Sequence, residues 1–234
     1  MTDPTQAPPT LAEDLLLLLF RPGSGRSGAG SIAGEGTLFY VLAGAVLADL
    51  ALGEHVRTDT GRLGGTTVEA VESRPPSDEF LRRTWDYVHE KPRGVQTVLA
   101  ATGPTLRAPL LDRVVARGDI RREKRTTLGL FESTILVDGG SGRRAALVAD
   151  VREVLVDGAE PSPRTAALAA LLSGSGTLPQ FDKEIPWSSA VITRAKELEQ
   201  GSWGAGAAGE AVTRTITASV VSSTVIAVTT LPRS

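Results

Sequence analysis

The chain has 234 residues, no cysteine, and 22% charged residues that nearly cancel to a net charge of −2. These figures exclude a disulfide framework, a thiolate metal site and a cysteine nucleophile, and they are wrong for a disordered chain. They also leave no overall basic charge, so any binding of nucleic acid or anionic lipid must come from a local patch. Lysine is scarce beside arginine, with four lysines against 21 arginines, a bias that suggests a high-GC bacterial source.

Residues 1–9 are polar and Pro-rich and read as a disordered tail. Thr10 and Glu13 form a capping box that opens a helix through Leu15–Phe20, apolar on all sides and therefore central to a core. Acids rather than cations precede this run, and it is too short to cross a bilayer, so a cytoplasmic chain is expected. Residues 21–36 hold six glycines and read as a loop carrying Arg21 and Arg26. A second apolar helix covers 37–52, with Gly53 at its C-cap. Val56–Thr58 and Thr66–Val71 read as a hairpin. Ser77 is placed to cap a helix over 78–90 with Phe80, Leu81, Trp85 and Val88 on one stripe. Helices follow at 94–101 and 105–116. Ile120–Arg125 and Thr127–Val137 read as a second hairpin. Further helices cover 142–156, 163–172 and 186–199, with Pro163 at a first turn. Residues 209–230 are β-prone by propensity, but their length and lack of breakers favour a buried helix. The expected fold is mainly α: a single helical domain over 10–234 with small β-hairpins.

Catalytic machinery is not legible. His55 and His89 have no partner at metal-ligand spacing. Gly23–Gly28 fits G-x-G-x-x-G by letter but follows a helix rather than a strand. No paired carboxylates stand out beyond Glu13 and Asp14, which suit a helix start. No enzyme, cofactor or metal is expected. One feature exceeds background. Between Arg107 and Arg125 stand seven cations against three acids, and arginine forks suit phosphate. The alternatives are a solvated face, or a winged-helix unit over 105–137 that would bind nucleic acid; the low pI of 5.8 disfavours the latter.

Leu11–Leu18, Leu42–Gly53, Leu111–Ile120, Leu128–Phe131 and Ala166–Leu172, in that order and spacing, resemble the Golgi phosphoprotein 3 family, and its bacterial members most. The resemblance covers about residues 10–200. It implies a mostly helical fold with hairpins and a cytoplasmic, peripheral membrane protein, here at the inner face of the membrane. Eukaryotic members bind phosphatidylinositol 4-phosphate through a loop Trp, an Arg of the second helix and two Arg spaced i, i+3. The second of that pair matches Arg107. The other three positions fall on Pro104, on Ala43 and near Gly34. Each lost charge-assisted bond costs about 1.5–3 kcal/mol, so headgroup-specific binding is not expected. The reading is a non-enzymatic protein that binds an anionic phospholipid or phosphate ligand through Arg107, Arg121, Arg122, Arg125 and Arg26. Leu128, Leu130 and Phe131 would contact the membrane. The resemblance also implies contact between copies through the 120–137 hairpin and room for a protein partner. A nucleic-acid binder and a protein-interaction scaffold are the competing readings.

Overall fold

Thr10 starts the first helix as its residue type demands. Its hydroxyl accepts from the Glu13 amide, and the Glu13 carboxylate takes the Thr10 amide at 2.8 Å, so two orphan donors are satisfied. The computed structural model describes residues 7–23, 28–60, 65–127, 131–201 and 212–222. The capped helix α1 (Leu11–Leu19) buries all nine of its residues, its two acids included. It packs against α2 (Leu38–Leu52), which is almost as apolar around its circumference.

Helices α1 and α2 form the centre. Leu15, Leu18, Leu47 and Leu50 are fully buried, as the sequence predicts. Around them lie α3 (Glu79–His89), α4 (Val95–Thr102), α5 (Arg107–Ala116), α6 (Arg143–Leu155), α7 (Pro163–Gly174) and α8 (Ser189–Glu199). One hydrophobic cluster draws side chains from Leu11 to Val220. Residues 212–222 are helical (α9), which agrees with the helical reading there; the rest of 209–230 lies outside the described residues. Val220 of α9 packs where a side chain on Gly44 would stand, with both its methyls 2.7 Å from that Cβ position. A mid-helix glycine, costly by propensity, is thus what lets α9 approach α2.

Strands are short and antiparallel. β1 (Phe20–Arg21) pairs with β2 (Ser31–Ile32) inside the stretch expected to be loop. β3 (Val56–Thr60) and β4 (Thr66–Ala70) make the first expected hairpin, and β5 (Arg93–Gly94) adds a third strand. β6 (Ile120–Thr127) and β7 (Phe131–Asp138) make the second. Two local expectations need correction. Asp78, not Ser77, caps α3, and its carboxylate takes the amides of Phe80 and Leu81. Helix α8 starts at Ser189 behind its Ser188 cap, and a 3-10 turn over Leu178–Phe181 comes before it. The architecture is mainly α with small hairpins.

Candidate functional site

The seven cations of 107–125 do not form one surface. Arg113 and Arg117 lie four apart on α5 and at its end, beside the buried Leu110, Leu111 and Val114. They turn inward, with side chains only 14% and 10% exposed. Arg117 Nε donates to Glu13 Oε1 at 2.7 Å, and Arg113 Nη2 lies 3.2 Å from Glu13 Oε2. Arg113 also forks onto Asp78 at 2.7 and 3.2 Å. Helix α5 therefore spends these two arginines on the interior of the fold.

These contacts belong to a larger buried network. Asp14 accepts from Arg143 and, at 2.5 Å, from Arg164. Arg164 reaches Asp49 at 3.2 Å, and Asp49 also accepts the Leu11 amide at 2.8 Å. Arg143 pairs with Asp119, which takes the Ser141 hydroxyl at 2.7 Å. Five acids and four arginines from α1, α2, the α3 cap, α5, the turn before β6, α6 and α7 are tied together. Sequence reasoning missed Asp49, Asp78, Asp119, Arg143 and Arg164 as partners. The available signal was two acids inside a wholly apolar helix, since buried charges need partners. Capping explains Glu13 but not Asp14.

The network is built for structure. Burial pushes the Glu13 carboxyl up, but the Thr10 amide, Arg117 and Arg113 outweigh it and hold Glu13 below its ordinary value of 4.5. Its stabilising effect is therefore present above that value and lost as pH falls through the lowered one. Asp49 goes the other way. Burial raises it against the pull of Arg164 and the Leu11 amide. Protonation of Asp49 therefore favours the folded form as pH falls through its raised value. Among the described residues no group of three or more His, Asp or Glu could hold a metal ion. His55 Nδ1 lies 2.7 Å from the Arg74 carbonyl, and His89 stacks on Trp85 at 4.6 Å.

Arg107 is the cation that matches the family's headgroup pocket. It forks onto Glu35, Nη2 to Oε1 at 2.7 Å and Nε to Oε2 at 3.2 Å. Ala43 is fully buried in α2. Gly34 has φ +69°, and a Cβ there would stand 2.8 Å from Thr177 Cγ2. The positions that matched the pocket thus offer one arginine, and that arginine already holds a carboxylate.

The remaining cations stand on β6. Arg121, Arg122, Lys124 and Arg125 are all exposed, with Glu123 among them. Strand periodicity splits them. The register pairs Arg121 with Val137, Glu123 with Ile135 and Arg125 with Ser133, and these share the outer face. Ile120, Arg122 and Lys124 share the inner face with Leu136, where Ile120 is fully buried and Leu136 packs on the core. On that inner side Arg122 reaches Asp112 of α5 at 2.6 Å. The structure puts Arg121 and Arg125 on one face with Glu123 between them, 3.9 Å from Arg121, places Arg122 on the other face, and leaves Arg107 elsewhere beside the loop that leads into α2. Arg26, Leu128 and Leu130 lie outside the described residues, and of Phe131 only the backbone pairing with Thr127 is described.

No curated protein matches the chain. The family described as Golgi phosphoprotein 3 (GPP34) does, over residues 11–215, which takes in everything from α1 to the first turn of α9. The chain belongs to the Golgi phosphoprotein 3 family. No helix among the described residues is long and apolar enough to cross a membrane.

Proposed function

We propose that this chain is a non-enzymatic peripheral membrane protein that holds an anionic lipid surface by charge, through the outer face of the β6–β7 hairpin, without selecting one headgroup. The observation that carries the reading is the composition of that face. Arg121 and Arg125 stand beside the half-buried Ile135 and Val137, on a strand that exposes four cations and one acid in succession. Apolar groups flanked by cations suit an interface of hydrocarbon and phosphate. Each cation near such a surface contributes about 1 kcal/mol. Family membership is in keeping with a lipid-binding role. The Arg107–Glu35 fork argues against a dedicated phosphate pocket, because a headgroup would have to displace a carboxylate already in place.

Sedimentation with phosphatidylglycerol vesicles at low salt tests this. Arg121→Glu with Arg125→Glu should lower the affinity by more than about 30-fold, the equivalent of two lost cations at the surface value. Arg122→Glu, on the inner face and paired to Asp112, should cost less. Wild-type protein that stays in the supernatant, or a double variant that pellets like wild type, would overturn the proposal.

A further inference from the structure

The β6–β7 sheet has two strands and therefore two edges. Gly30 meets the β7 edge, where its amide donates to the Leu136 carbonyl at 2.7 Å. Among the described residues no strand lies along the β6 edge. Antiparallel pairing fixes which backbone groups stand there, because alternate residues turn both N–H and C=O toward the partner strand or away from it. The Gly139 amide donates to the Asp119 carbonyl at the foot of the ladder. Residues in step with Asp119, such as Arg121 and Glu123, therefore spend their groups on β7, and Arg122 and Lys124 turn theirs outward. Leu136, the partner of Arg122, agrees, since its carbonyl serves Gly30 rather than β6. The outward N–H and C=O groups of Arg122 and Lys124 bond nothing among the described residues, and Arg121 to Arg125 are all exposed. Such a row of groups is a template for another strand.

Charge selects the occupant. Four cations and one acid over 121–125 give that stretch a net charge of +3. Two copies of β6 brought edge to edge would set +3 against +3, and like charges in opposition are destabilising. Cationic edges are one way in which sheets avoid pairing with themselves. An acidic strand meets no such barrier. Cations stand on both faces of β6, Arg121 and Arg125 on one, Arg122 and Lys124 on the other. A matching strand therefore carries acids at successive positions and a neutral residue opposite Glu123. The existing pairs are no obstacle. Arg121 and Glu123 are 3.9 Å apart, and the Arg122 and Asp112 side chains are 42% and 63% exposed; exposed pairs of this kind are weak. We propose that the β6 edge binds an extended acidic segment of a partner protein, which adds to the sheet as a third strand. Main-chain bonds to Arg122 and Lys124 supply the anchoring, and carboxylates beside the cations supply the choice of sequence. The contact needs no membrane and does not rest on the vesicle reading.

The probe is the acetylated and amidated peptide Val-Glu-Glu-Thr-Glu-Glu-Val, whose palindromic sequence matches β6 in either direction. Amide exchange followed by NMR on the full chain, without lipid, reads the contact residue by residue. Saturating peptide should slow exchange at the Arg122 and Lys124 amides by more than about tenfold. The Arg121 and Glu123 amides, already bonded within the sheet, should change little. Lys124→Gln should weaken the peptide about threefold, as expected for one cross-strand ion pair. Lys124→Pro removes an outward N–H, a change that edge strands tolerate, and should abolish binding, with thermal melting to show that the fold is intact. The same peptide with N-methylated glutamates keeps its charge, loses those donors and should not bind. Absence of binding by wild type overturns the proposal. So does binding that leaves the Arg122 and Lys124 amides unprotected, or that the N-methylated peptide matches, since either is contact by charge without a strand. Self-association of the free chain that Lys124→Pro abolishes would overturn it as well, by giving the edge to a second copy.

Discussion

Asp14→Asn should lower the stability of the folded chain by about 3–5 kcal/mol, the usual consequence of removing one partner from a buried ion pair. Asp14 is 5% exposed and is shared by Arg143 and Arg164. Asparagine keeps the shape, so no cavity confuses the result, but it leaves two arginine forks facing an amide instead of an anion. Arg143 retains Asp119 and Arg164 retains Asp49, which places the effect toward the lower end of the range. Urea unfolding gives the value directly, as a fall in midpoint at unchanged slope. Arg107→Ala is the matched control. It breaks an ion pair whose side chains are 47% and 53% exposed, and such pairs contribute under about 1 kcal/mol. Equal losses from the two variants would mean that the network does not behave as a buried one.

Leu47→Ala should cost about 2–5 kcal/mol by the same measurement. Leu47 is fully buried on α2, and α2 meets α1, α3, α4, α5 and α7. With neighbours on so many sides, the surroundings have little freedom to collapse into the vacated volume. The cavity term then adds to the lost transfer free energy. A loss below about 1 kcal/mol would show that the centre of the bundle repacks, and that α1 and α2 are not its rigid middle.

What the sequence made legible was local. The capping box at Thr10 and Glu13, the stripe on α3 and the Pro163 helix start are all set by residues within a few positions of each other, and each is present. The α3 cap moved from Ser77 to Asp78, where one carboxylate serves two amides. β5 went unseen because two residues, Arg93 and Gly94, carry no periodicity; β4 recruits them. The arginine cluster failed for a different reason. A count along the chain cannot tell that Arg113 and Arg117 face Glu13 across a hundred residues of sequence, while Arg121 and Arg125 face away. The period of two in β6 was readable from the start. Which of its faces was buried depended on the pairing with Leu136.

Charge-driven attachment without headgroup choice can be read in one comparison. Vesicles carrying phosphatidylinositol 4-phosphate and vesicles carrying phosphatidylglycerol, matched in total negative charge, are titrated with wild-type protein at 0.1 M and 1 M salt, across which the Debye length falls from about 10 Å to about 3 Å. The affinities for the two surfaces should agree within about threefold at low salt, and both should drop steeply at high salt as the cation contacts are screened. A strong preference for the phosphoinositide that survives 1 M salt would contradict this account, because it would require a built headgroup pocket where Arg107 holds Glu35.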